Sequence, residues 1–133
     1  MSADGSVELT FAGDLRKFRL DIDGLIALQD KRNSGPLEIA YRLQLGTWRL
    51  EDIQDTIRIG LIGAGVDGSI AKRLVDVNVK PGKITEHVLV AQAIILAALQ
   101  GVPDDPVGKD QATAQAPGAT DASPPPPTTA TAQ

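Results

Sequence analysis

The sequence predicts an α+β domain: an N-terminal β-hairpin packed against four to five helices, with a disordered C-terminal tail. Three observations predict it. Apolar and polar residues alternate at Val7, Leu9, Phe11 and again at Phe18, Leu20, Ile22, the period of half-buried strands. Leu50, Ile53, Ile57 and Leu61 recur at spacings of three and four, the stripe of an amphipathic helix. Beyond Gly101 the composition shifts to Ala, Pro, Thr, Gln and Gly, with prolines at 124–127. Such a segment buries too little apolar surface to offset its ordering entropy.

In chain order, Ala12-Gly13-Asp14 separates the two alternating runs and reads as the hairpin turn. Arg16, Lys17 and Arg19 place positive charge on the second strand, mostly on its solvent side, the usual protection of an exposed edge. Asp23 is a candidate N-cap for a helix running to about Arg32, with Leu25, Ile26 and Leu28 inward. Asn33-Ser34-Gly35 ends that helix. Pro36 at the first helical position opens the next, over 37–45, with Leu37, Ala40 and Tyr41 on its inner face and Ile39 and Leu43 flanking. Gly46 closes it, and Trp48 reads as a core anchor under the link. The helix holding Leu50 and Leu61 follows, with Glu51 and Asp52 in the first turn, where the helix dipole favours carboxylates. Ser69 is a candidate cap for a short helix over 70–77, with Ile70, Leu74 and Val77 inward, and Lys80-Pro81-Gly82 forms a turn. Thr85 is a candidate cap for a last helix, 86–100, which is apolar nearly all round. A small domain does not readily bury such a helix alone, so part of it is expected to contact another chain. The folded domain is assigned to residues 5–102 and the tail to 103–133. The tail's proline run has polyproline II character; a recognition segment and a plain solvated tail are its two readings.

Residues 63–68, Gly-Ala-Gly-Val-Asp-Gly, spell G-x-G-x-x-G, the fingerprint of a dinucleotide-binding turn. That turn requires a buried strand before the glycines and a helix N-terminus behind them to hold a pyrophosphate. It also requires an acidic residue about twenty positions on. Here the helix stripe begins well before the glycines, and residues 79–83 hold no carboxylate. The glycines therefore read as a helix stop, with Gly63 and Gly65 where a left-handed cap residue belongs. A nucleotide-binding enzyme fragment stays as a second alternative.

Composition narrows the chemistry further. The 133 residues contain no cysteine, which removes disulfides, thiolate catalysis and cysteine zinc sites. The net charge of −4 and four aromatic residues give no nucleic-acid footprint, and no nucleic-acid partner is expected. The apolar run 88–99 is too short to span a bilayer, so no membrane partner is expected. Residues 1–11 lack the basic and apolar regions of a secretory signal. His87, the single histidine, reads as structural or solvent-facing. Asp21 with Asp23, and Asp104 with Asp105, have no converging partners. Glu51, Asp52 and Asp55 read as a helix N-terminus with a solvated face. No catalytic, metal or cofactor residue is assigned, and an enzyme is not expected.

Three segments carry a resemblance: VELTFAGDLRKFRLDIDGLIALQDK, RLEDIQDTIRIGLIGAG and HVLVAQAIILAALQG. Their order and spacing resemble the gene transfer agent family, small proteins of the tail-gene clusters of siphophage-like particles and prophages. The likeness covers about residues 5–101. It rests on Gly13-Asp14, Asp52, Ile53, Gly60, the glycines at 63–65 and the apolar stretch 91–101. Leu28-Gln29-Asp30-Lys31 stands where members often carry a Glu-Leu-Glu-type segment. The resemblance implies a tail assembly chaperone that binds the tape measure protein and helps recruit tail tube protein. It would act in the cytoplasm of a bacterial host during particle assembly. The family also carries the label of tail tube protein, which makes a structural tube subunit, placed in the virion tail, the first alternative. An apolar helix on a small acidic domain suits the sheltering of another chain's apolar segments. The residues expected at partner contacts are Val88, Val90, Ile94, Ile95, Leu99, Ile59 and Ile62, and a second copy of the chain is a further candidate partner.

Overall fold

The computed structural model describes residues 4–101; the expected tail at 103–133 lies outside them. The chain opens with an antiparallel hairpin, β1 (Ser6–Phe11) and β2 (Asp14–Arg19), in the register Phe11 to Asp14 through Ser6 to Arg19. Ala12 and Gly13 form the connecting turn, both with positive φ, 55° and 82°. That is the type I′ geometry whose twist matches paired strands. Five helices follow: α1 (Ile22–Arg32), α2 (Pro36–Leu45), α3 (Leu50–Gly63), α4 (Gly68–Asn78) and α5 (Val88–Gln100). A short 3-10 turn, Thr85–His87, leads into α5. The expected α+β architecture is the one observed.

α3 is the central element. It packs against β2, α1, α4 and α5, while α5 also lies against β1 and α2. One face of the hairpin is thereby covered. Phe11, Phe18, Leu28, Ile39, Ile53, Ile57, Leu61, Ile94 and Ile95 meet in a single core. Phe11 and Phe18 touch edge to face, with ring centroids 6.1 Å apart. Trp48 is half-buried and packs against this core, as its anchoring role requires.

The helix ends show why the elements stop where they do. Asn33 and Gly46 adopt left-handed conformations after α1 and α2. Pro36 opens α2 at a position where its missing N–H costs nothing. Several details differ from the sequence expectation. The cap of α1 is Asp21, whose Oδ1 accepts from the Gly24 N–H at 2.8 Å, not Asp23. This cap ends the second strand early, so Ile22 begins the helix and is exposed. α4 is capped by Asp67, not Ser69, and buries Ala71 and Val75, leaving Ile70 and Val77 outside. α2 buries Ile39, Ala40 and Leu43, which turns Leu37 and Tyr41 to solvent. Ile26 on α1 is likewise outside.

Candidate functional site

The glycine segment is built as helix, cap and helix. α3 continues through Gly63, Ala64 caps it, and Gly65 alone takes a positive φ, 105°. The Val66 N–H returns to the Leu61 carbonyl at 3.0 Å, closing the end of α3. A helix and not a strand runs into these glycines, so the turn that would offer N–H groups to a pyrophosphate does not form. The N-terminus of α4 is also filled. Asp67 caps it, accepting from the Ser69 N–H at 3.1 Å and from the Ser69 hydroxyl. Those hydrogen bonds hold the Asp67 carboxyl below its ordinary pKa. A carboxylate thus stands where the fingerprint would place a phosphate.

Gly60 and Gly63 have a different role, one that corrects the reading of Gly63 as a cap. Asp52, Thr56, Gly60 and Gly63 follow one another at spacings of four, four and three, on one face of α3. The two glycines form the seat on which β2 lies. A Cβ at Gly60 would stand 3.2 Å from Ile94 Cγ2 and 3.5 Å from the Phe18 ring. A Cβ at Gly63 would stand 2.0 Å from the Arg19 carbonyl oxygen, which is backbone and cannot turn aside. The Thr56 hydroxyl is buried on this face without a hydrogen-bond partner.

Asp52 also corrects an expectation. It is fully buried, not part of a solvated face. Its Oδ1 accepts from Arg32 Nε at 2.9 Å and Arg42 Nη2 at 2.7 Å. Its Oδ2 accepts from Arg42 Nε at 3.0 Å and from the Arg49 N–H at 2.8 Å. Arg42 further donates to Ser34 Oγ at 2.8 Å. Burial pushes the Asp52 carboxyl upward, but the hydrogen bonds from Arg42, Arg49 and Arg32 prevail and leave its pKa below the ordinary value. The Asp52 hydrogen bond raises Arg42 above the usual guanidinium value. The carboxylate ties α1, α2 and the α3 N-terminus together. With both oxygens engaged, it has no free lone pair directed at a substrate.

His87 is structural. Its Nδ1 lies 2.7 Å from the Lys83 carbonyl oxygen, and its ring meets Phe11 edge-on at 5.2 Å. Among the described residues no group of histidine or carboxylate side chains is arranged to hold a metal ion. No helix there is long and apolar enough to cross a membrane.

The remaining candidates are apolar surfaces. Of the residues expected at partner contacts, Ile59, Ile94 and Ile95 are buried in this chain's own core. Val88 and Val90 are half-buried and pack against it. Ile62 and Leu99 are exposed, at 40% and 43%. Ile59, Ile94 and Ile95 thus pack within this chain's own core, and Ile62 and Leu99 are the expected contact residues that stand open to solvent. A groove of about 420 Å³ was not anticipated: Leu9 and Thr10 of β1 face Leu89, Val90, Gln92, Ala93 and Leu96 of α5. Its most prominent residue is Leu89, 73% exposed. The alternation that put Leu9 inward and the apolar periphery of α5 were both visible in the sequence, but their juxtaposition required the fold.

A protein-family profile described as "Phage tail tube protein, GTA-gp10" matches residues 4–101. The chain belongs to that family. The match spans the hairpin through α5, and the gene transfer agent resemblance is thereby established at family level. No curated protein matches the chain, and no solved structure does. The description places the family among phage tail proteins, and protein–protein assembly in a phage tail is the context it sets for these surfaces.

Proposed function

We propose that this GTA-gp10 family member is a tail assembly chaperone that binds apolar segments of the tape measure protein and assists tail tube assembly. The observation that carries this reading is the apolar groove between β1 and α5, which is left open beside the core of the domain. An apolar surface of this kind suits transient shelter of another chain's apolar segment. The hairpin strands are six residues each and form a two-stranded sheet. A tube subunit that builds a closed ring of sheet needs longer paired strands. Binding proceeds by side-chain burial and backbone hydrogen bonding, with no covalent step, in the host cytoplasm during assembly.

Co-expression with the tape measure protein of the same gene cluster tests the proposal. Soluble tape measure protein is expected to rise several-fold with this chain present, and to fall back with Leu89→Lys. Unchanged solubility would remove the chaperone reading. A structural tube subunit is the second reading, favoured by the family's description and by the free sheet edge at β1.

A further inference from the structure

The hairpin turn settles which backbone groups of β1 face outward. In a two-residue hairpin the closing pair, Phe11 and Asp14, exchanges both hydrogen bonds, and so do the alternate pairs Leu9–Arg16 and Val7–Phe18. Ser6, Glu8 and Thr10 occupy the intervening positions, so their N–H and C=O groups point away from β2. Asp4 Oδ1 accepts from the Ser6 N–H at 3.0 Å, which caps the start of this edge. Glu8 and Thr10 are exposed.

The apolar groove lies beside them. Its lining comes from β1 and α5, with none from β2, so it opens along the free edge of β1 with α5 as its floor. A strand laid in this groove in register would bond to the backbone of Glu8 and Thr10. Every second side chain of that strand would rest on Leu89, Ala93 and Leu96. We propose that this edge is a strand-addition site, which takes an extended segment of a partner protein carrying apolar residues at alternate positions.

Symmetry and charge choose between occupants. A second copy pairing edge to edge across a two-fold axis would bring its own α5 beneath the same pair of strands, where the first α5 already forms the floor. The groove therefore suits a lone extended segment with no helix beneath it. No charged side chain lines the groove, so the inward residues of the segment are neutral. On the outer face the segment runs beside Glu8, which has Lys17 opposite it across the hairpin and its other side open to a lysine or arginine of the segment. That the segment comes from a tail protein rests on the assembly reading; the edge site itself does not.

The test uses full-length protein and a synthetic peptide of alternating threonine and valine with lysine at each end. On titration, the Glu8 and Thr10 amides are expected to gain protection from hydrogen exchange. Thr10→Pro removes an outward N–H without breaking the β1–β2 ladder, and is expected to weaken binding at least about tenfold. Leu89→Lys, which charges the floor, is expected to do the same and serves if the proline variant does not fold. A peptide methylated on alternate backbone nitrogens is expected not to bind. Absence of binding at about millimolar peptide, binding indifferent to both substitutions, or protection confined to other elements would overturn the site. A dimer of the free protein that Thr10→Pro dissociates would overturn the choice of occupant in favour of a second copy. Peptides tiling the neighbouring tail proteins form a separate arm: if none binds while the synthetic strand does, the edge site stands and the assembly reading falls.

Discussion

Gly63→Ala is expected to cost at least about 3 kcal/mol of stability, enough to leave much of the protein unfolded. The new methyl group would stand 2.0 Å from the Arg19 carbonyl oxygen, so β2 must lift from α3. Relief is not available from a rotamer, because the obstructing atom is main chain. The neighbouring glycines supply the control. Gly60→Ala meets the Ile94 Cγ2 methyl at 3.2 Å, a side-chain atom that has to give by only a few tenths of an ångström, and about 1 kcal/mol is expected. Gly65→Ala meets no atom within 4 Å but must hold a positive φ, which costs about 1–2 kcal/mol. Urea denaturation of the three variants checks the order. A ranking with Gly65 as the most sensitive position would mean that the turn, not the seat for β2, governs this segment.

The second large effect is expected at Asp52. Asp52→Ala leaves Arg32 and Arg42 without their shared partner in a buried site and is expected to cost about 3–5 kcal/mol. Asp52→Asn keeps the shape but removes the charge, and is expected to recover only a minor part. The pH dependence follows from the direction of the Asp52 shift. Its folded pKa is lowered, so its contribution is complete above the unfolded value of about 4 and disappears as pH falls through the folded value. The wild type is expected to lose stability on acidification below about pH 4 more steeply than Asp52→Asn. Denaturation midpoints measured from pH 7 downward on both proteins read this difference directly. Asp4 and Asp67 are also lowered, but they are common to both proteins and cancel in the comparison.

Much of the fold was legible because local signals agreed. The three-and-four spacing of Leu50, Ile53, Ile57 and Leu61 was enough to make 50–63 a helix, and that alone removed the phosphate cradle. Asn33, Pro36 and Gly46 marked helix boundaries through backbone chemistry that needs no tertiary partner. What escaped depended on contacts distant in sequence. α2 carries two apolar stripes, and only its packing on α5 selects Ile39 and Leu43 over Leu37 and Tyr41. α4 offers the same ambiguity between Val75 and Val77. Asp52 looked like an ordinary first-turn carboxylate, since its partners Arg32 and Arg42 lie 20 and 10 residues away. Gly63 looked like a cap because its true neighbour, the Arg19 carbonyl, belongs to another element. Which side of α5 stays exposed was not legible for a related reason. An all-apolar helix does not announce which of its sides the core will take. The core took Ile94 and Ile95 and left Leu89 beside the edge of β1.

The proposed role has this GTA-gp10 family member helping to assemble the tail without remaining in it. Quantitative mass spectrometry of purified tailed particles tests that most directly. Tape measure and tube proteins are expected at full stoichiometry, with this chain absent or present only in traces. Its recovery in amounts equal to the tube protein would contradict the claim and make it a structural component.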